Sequence, residues 1–113
     1  MKRIEAIIRP EMIEVLRQHL EKVGYPGMMV SEIKGHGRQR GVSHQFRGTE
    51  YKEYFLSKMR VELIVPDIEV SKITGAITEI CRSGEVGDGK IFISPVEDAI
   101  RIRTGDHGDP ALS

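Results

Sequence analysis

The chain has 113 residues, 39% of them hydrophobic and 30% charged, the balance of one ordinary globular domain spanning 1–113. Its 17 basic and 17 acidic residues cancel, which argues against general nucleic-acid binding, where a basic excess neutralises phosphates. No apolar run approaches the ~18 residues of a membrane span, and the charged start Met1-Lys2-Arg3-Ile4-Glu5 does not read as a signal peptide, so a cytoplasmic protein is expected.

Residues 3–9 alternate in the manner of a strand, with Ile4, Ala6 and Ile8 on one side and Glu5, Ile7 and Arg9 on the other. Pro10 stops the strand and suits the start of a helix. Met12, Ile13, Leu16, Leu20 and Val23 then recur at helical spacing, and Gly24 reads as a left-handed cap. Met28 to Lys34 reads as a second strand.

Residues 35–57 are polar and punctuated by Gly35, Gly37, Gly41 and Gly48. Their length exceeds the ~15 residues of a passive connection, which leaves a functional loop or a disordered one, flexible over 37–55. Residues 58–66 return to strand, and a helix begins at Asp67 or Ile68 with Val70, Ile73, Ile77 and Ile80 on one face. The turn Ser83-Gly84-Glu85-Val86-Gly87-Asp88-Gly89-Lys90 follows, then a short strand from Ile91 to Ser94. Arg101-Ile102-Arg103-Thr104 reads as a last extended piece, with a frayed tail over 105–113.

The order repeats. Arg3-Ile4-Glu5-Ala6-Ile7-Ile8 aligns with Arg60-Val61-Glu62-Leu63-Ile64-Val65, and each copy leads into a proline, an acidic residue, an amphipathic helix and a further strand. Two such units in tandem predict an α+β, ferredoxin-like βαββαβ fold with a long loop after the second strand. Ile7 and Ile64 would then share an outer sheet face, an apolar patch most simply buried against another subunit.

Three glycine- or arginine-bearing clusters can carry chemistry: Gly35-His36-Gly37-Arg38-Gln39, Gly87-Asp88-Gly89-Lys90 and Arg101-Ile102-Arg103. Glycines let backbone N–H groups approach phosphate oxygens, and Arg or Lys adds charge and bidentate donors. Strand alternation would put Arg101 and Arg103 on one face, where both reach one polyphosphate. The plainer readings are a tight turn for 87–89 and a solvated strand face for the arginines. Neither a Walker A sequence nor a dinucleotide fingerprint is present. Cys81, the single cysteine, excludes an internal disulfide and ends the apolar helix face as a small buried hydrophobe. His19 reads as a solvated helix residue, while His44 and His107 fall in flexible segments without metal-pair spacing.

The sequence resembles the PII nitrogen-regulatory signalling proteins. Ile4-Glu5-Ala6-Ile7-Ile8-Arg9-Pro10, Lys34 to Gln39, Arg47-Gly48-Thr49-Glu50-Tyr51, Gly84 to Phe92 and Arg101-Ile102-Arg103-Thr104-Gly105 carry the likeness over nearly the whole chain. The resemblance implies a homotrimer with ATP or ADP in the clefts between subunits, and Mg²⁺ with ATP supporting 2-oxoglutarate. It further implies a loop at 37–55, the T-loop, that engages an ammonium transporter, glutamine synthetase or another nitrogen-metabolism protein. The nucleotide site it implies draws on Ile7, Met29, Gly35, Gly37, Arg38, Gln39, Ile64, Gly87, Asp88, Gly89 and Lys90, with Arg101 and Arg103 from the neighbouring subunit. It gives Gln39 to Mg²⁺, and Arg9, Gln39, Lys58 and Gly87 to 2-oxoglutarate. Met29 stands where the family commonly has threonine and cannot donate a hydroxyl hydrogen bond to adenine. His36 replaces a frequent aromatic, and Ser43, His44, Gln45 and Phe46 depart from the common bacterial loop. Tyr51 matches a tyrosine uridylylated in bacterial relatives, against the plainer reading of an unmodified contact residue.

A binding sensor and not an enzyme is therefore expected. The alternative is a small nucleotide-hydrolysing or phosphoryl-transfer enzyme, opposed by the lack of an obvious general base in the glycine clusters. An RNA-binding sheet would want stacking aromatics, and Phe92 is the one strand aromatic at hand.

Overall fold

The computed structural model describes residues 1–25, 27–36 and 55–113 in full, and the backbone course of 42–46 and 49–53. In chain order the elements are β1 (Lys2–Ile8), α1 (Ile13–Lys22), β2 (Met29–Gly35), β3 (Val42–Phe46), β4 (Thr49–Glu53), β5 (Leu56–Val65), α2 (Val70–Cys81) and β6 (Lys90–Pro95). Each helix is entered through a short 3₁₀ turn after a strand, Pro10–Met12 beginning with its proline and Asp67–Glu69 following Pro66. The repeat read from the sequence is thus real in three dimensions. Gly24 closes α1 at φ 95°, a conformation that favours glycine.

The main sheet has the order β2-β5-β1-β6, and every neighbouring pair is antiparallel. Each β-α-β unit therefore leaves a gap that one strand of the other unit fills, the ferredoxin-like interleaving expected from the tandem repeat. The strands run slightly beyond the sequence expectation: β2 continues to Gly35, β5 starts at Leu56, and β6 covers Lys90–Pro95. The stretch expected as a functional or disordered loop contains a ribbon, with β3 paired to β4 from Val42↔Glu53 to Phe46↔Thr49. Backbone pairing needs no apolar alternation, so composition alone missed it.

The core is one layer between sheet and helices. Ile4, Ala6 and Ile8 of β1 and Val61, Leu63 and Val65 of β5 pack against Leu16 and Leu20 of α1 and Ile73, Ile77 and Cys81 of α2. Burial of each large aliphatic side chain contributes ~1.5–3 kcal/mol. Cys81 is the small buried hydrophobe anticipated, and burial pushes its thiol pKa up. Neither α1 nor α2 lies on the other sheet face, where Glu5, Ile7, Glu62 and Ile64 are half-buried. Arg3, Glu5 and Ile7 share it with Arg60, Glu62 and Ile64, the alternation anticipated for Ile7 and Ile64. Met29 and Phe92 join the same face through their pairing with Glu62 and Glu5, and both are about half exposed. No helix among the described residues is long and apolar enough to cross a membrane.

The C-terminal expectation needs correction. Residues 102–104 form a turn, not an extended strand, closed by a bridge between Ile100 and His107. The tail is not frayed: Asp109–Leu112 is a further 3₁₀ turn. Nor does His107 sit in a loose segment, since its Nδ1 lies 2.8 Å from Asp98 Oδ2. These ties join backbone to backbone at Ile100 and His107 and side chain to side chain at Asp98 and His107, and leave no periodic trace in the sequence.

Leu20 is fully buried whereas Val15, one face round the same helix, is about half exposed. Leu20→Ala is expected to lower unfolding free energy in urea by ~2–5 kcal/mol. Val15→Ala is expected to change it by less than ~0.5 kcal/mol.

Candidate functional site

The site is organised around the 83–90 loop, which runs from the end of α2 to the start of β6. Arg82 leaves the helix in an extended conformation at φ −76°, ψ 125°. Gly84, Gly87 and Gly89 then adopt φ values of 88°, 103° and 104°, open to glycine but strained for other residues. A β-carbon at Gly89 would collide with the carbonyl of Ile7, so this loop lies directly on the backbone at the end of β1. Around Gly84 the space is open.

Three side chains hold the loop from outside and within. Lys58 Nζ donates to the Gly87 carbonyl at 3.0 Å. Arg9 donates through Nη2 to the Val86 carbonyl at 2.8 Å and through Nη1 to Ser83 Oγ at 3.1 Å and to Asp88. Asp88 Oδ2 accepts the amides of Ser83 and Gly84 at 2.8 and 2.9 Å. The Ser83 hydroxyl and amide, the Gly84 amide and Arg9 hold the Asp88 carboxyl far below the usual carboxylate range. Burial, and then the neighbouring Arg9 charge, lower the Lys58 pKa, while Glu11 and Asp88 act in the opposite sense.

Of the residues expected at a ligand site, the fold brings Ile7, Arg9, Lys58, Gly87, Asp88, Gly89 and Lys90 together. Lys90 is the strand partner of Ile7 in the β1–β6 pair. Gly35 joins them: a β-carbon there would meet Lys58 Cγ at 3.7 Å. Met29 and Ile64 lie on the open sheet face. The His36 ring sits 5.7 Å from that of Phe55 at the base of the ribbon. Gly37, Arg38 and Gln39 lie outside the described residues, as do Arg47, Gly48 and the side chain of Tyr51.

Arg101 and Arg103 are not brought to the loop within one chain. Arg101 pairs with Asp106 at 3.2 Å and donates to the Pro110 carbonyl at 2.9 Å and to Ser113. Arg103 is exposed in the turn and makes no hydrogen bond or ion pair among the described residues. Because 102–104 turns, the two arginines do not share a strand face, and the alternation argument for them fails. Ser83 is a site residue that sequence reasoning missed. Its signal was a serine five residues before an aspartate inside a glycine-rich turn, the spacing of a loop-closing side-chain bond.

A group of three or more His, Cys, Asp or Glu able to hold a metal ion is absent among the described residues. What the arrangement offers is a backbone cradle flanked by Lys58, Lys90 and Arg9, a chemistry suited to anionic oxygens.

Gly84 and Gly89 allow the strain of positive φ to be separated from steric collision. Gly89→Ala is expected to destabilise the fold by at least ~1–3 kcal/mol in chemical denaturation, since the loop must also lift from Ile7. Gly84→Ala carries only the conformational penalty and is expected to cost less.

Comparison with known proteins gives the family. A family model described as "Nitrogen regulatory protein P-II" matches residues 1–106. A nitrogen regulatory protein P-II of Nostoc punctiforme is 48% identical over 112 residues, covering 99% of this chain and all of that protein. Those of Haemophilus influenzae and Synechocystis are 45% and 44% identical, again over 99% of this chain and the whole of each relative. These matches, over nearly the whole chain, make it a member of the P-II nitrogen regulatory protein family.

Proposed function

We propose that this P-II family member is a nitrogen-regulatory sensor that binds ATP or ADP, with Mg²⁺ and 2-oxoglutarate, in clefts between three identical subunits. It acts on an ammonium transporter or another nitrogen-metabolism protein through residues 37–55. The relatives are named as regulators, in keeping with binding and not catalysis. The observation that carries the reading is the glycine cradle at 87–89, seated on β1 and flanked by Lys58 and Lys90.

Phosphates would lie against the Gly87 and Gly89 amides and Lys90, with Gly37 and Arg38 contributing from the loop base. Arg101 and Arg103 would come from a second subunit, because no bond among the described residues brings either to the 83–90 loop of its own chain. A trimer would also cover the outer face carrying Ile7, Met29, Ile64 and Phe92, of which Met29 and Phe92 are about half exposed in the single chain. Met29 gives adenine an apolar wall without a hydroxyl donor. Gln39 would supply an oxygen to Mg²⁺, which commonly keeps few protein ligands beside phosphates. Lys58 and Arg9 suit the carboxylates of 2-oxoglutarate.

ATP is expected to bind the trimer with micromolar-range affinity in calorimetry. Arg103→Ala should weaken it by ~1.5–3 kcal/mol, the usual size of a charge-assisted hydrogen bond. Unchanged affinity in that variant would remove the arginine from the site. 2-Oxoglutarate should bind only with Mg²⁺ and ATP present, and Gln39→Ala should abolish that dependence. Equal binding to the nucleotide-free protein would sink the metal-bridged mechanism.

The ribbon β3–β4 and the segments around it are the proposed target-binding element. A candidate transporter should be retained in a pull-down with ADP and released by Mg²⁺-ATP with 2-oxoglutarate, as expected of a loop whose shapes the ligands bind unequally. Retention by a variant lacking residues 42–53 would place the interaction elsewhere.

A further inference from the structure

Asp88 is the acidic residue inside the glycine cradle, where it could serve as a metal ligand, a general base or an internal brace. A carboxylate has about four acceptor positions. In this chain Oδ2 accepts the amides of Ser83 and Gly84 at 2.8 and 2.9 Å. Oδ1 accepts the Ser83 hydroxyl at 2.5 Å and the Arg9 guanidinium. All four positions are therefore filled from within the protein.

Ser83 is used as fully. Its hydroxyl donates to Asp88 and accepts from Arg9 Nη1 at 3.1 Å and from the Glu85 amide at 3.2 Å. Arg9 itself starts from a restrained backbone. It precedes Pro10, lies at φ −66°, ψ 141°, and its carbonyl accepts the Met12 amide at 3.1 Å.

We propose that Arg9, Ser83 and Asp88 form a positioning clasp that holds the 83–89 loop ready for a nucleoside polyphosphate, with the Asp88 carboxylate directed into the clasp and not toward ligand or metal. The inference rests on the nucleotide-binding reading above. Its physical basis is preorganisation. Gly84, Gly87 and Gly89 all require positive φ, and glycine loses the most conformational freedom on being fixed. A loop already fixed by the clasp does not have to be ordered when the ligand arrives. The clasp also bridges two elements far apart in sequence, tying the β1–α1 junction to the α2–β6 loop.

The test uses Asp88→Ala, Arg9→Ala, the double variant and the milder Ser83→Ala, each checked for intact folding by circular dichroism. Amide hydrogen exchange is followed over 83–90 without ligand, and ATP binding is measured by calorimetry with and without Mg²⁺. Asp88→Ala should speed exchange in the loop at least tenfold while β1 and β5 exchange as in the parent. It should weaken ATP at least tenfold by the same factor with and without Mg²⁺. Adding Arg9→Ala to Asp88→Ala should cost less than a further twofold, because the two act as one unit. Ser83→Ala should shift both readouts in the same direction by less, and it decides the matter if Asp88→Ala does not fold.

Parent-like loop exchange in the folded variants would overturn the clasp. A loss of ATP affinity seen only with Mg²⁺ would make Asp88 a metal ligand and overturn its assigned direction. Should the parent chain bind no ATP, the nucleotide reading and the proposed readiness for phosphate both fall. Faster loop exchange in Asp88→Ala would then still show that the brace exists, which separates the two failures.

Discussion

The paired position of β1 governs the rest of the molecule. It is hydrogen-bonded on both sides, to β5 from Lys2↔Val65 to Ile8↔Met59 and to β6 from Lys2↔Pro95 to Ile7↔Lys90. A one-residue slip in either pairing would turn Ile4, Ala6 and Ile8 out of the core and bring Arg3, Glu5 and Ile7 into it. The hydrophobic demand for burial of three inward positions thus fixes the register of both neighbours. It also fixes what happens at the end of β1, where the Ile7 carbonyl supports Gly89 and Arg9 reaches the 83–90 loop. Packing at the core and geometry at the site are consequences of the same register.

The outer sheet face shows a second constraint. Glu5 and Glu62 stand directly opposite each other, an unfavourable pairing of like charges. Arg60 lies 3.4 Å from Glu5 and Arg3 3.9 Å from Glu62, so each glutamate has a cation on the neighbouring strand. All four side chains are partly exposed, and such pairs in water contribute little. Their arrangement nevertheless allows charge to sit among Ile7, Ile64, Met29 and Phe92 without repulsion. Any layer that buried this face would have to remove these ion pairs from water, at a desolvation cost that their mutual attraction only partly offsets.

Charge within the 83–90 loop is organised differently. There Arg9, Ser83 and Asp88 satisfy one another, and Lys58 is tied to Gly87. The C-terminal turn follows a related scheme, with Asp98 accepting the amides of Ala99 and Gly108 and pairing with His107. In both places an aspartate takes the backbone N–H groups that a short irregular loop leaves unpaired. These local bonds replace the secondary structure that glycine-rich and turn segments cannot form.

The repeat of Arg3-Ile4-Glu5-Ala6-Ile7-Ile8 in Arg60-Val61-Glu62-Leu63-Ile64-Val65 was sufficient for the order of β1, α1, β2, β5, α2 and β6 and for the inward and outward strand faces, and the apolar face of α2 was sufficient for the buried Cys81. Periodicity encodes burial, and burial here is shared by whole elements, so those features were legible in the chain itself. The residue types of the glycine cradle were legible too, since the φ values at 84, 87 and 89 are unstrained for glycine and strained for other residues. Tertiary structure alone decided which carbonyl Gly89 rests on, that Ser83 belongs to the site, and that Arg101 folds back onto Asp106 and Pro110. It also decided that 42–53 pairs as a ribbon despite lacking alternation. Each of these depends on single hydrogen bonds or backbone contacts between particular atoms, and such contacts have no period for a sequence to display.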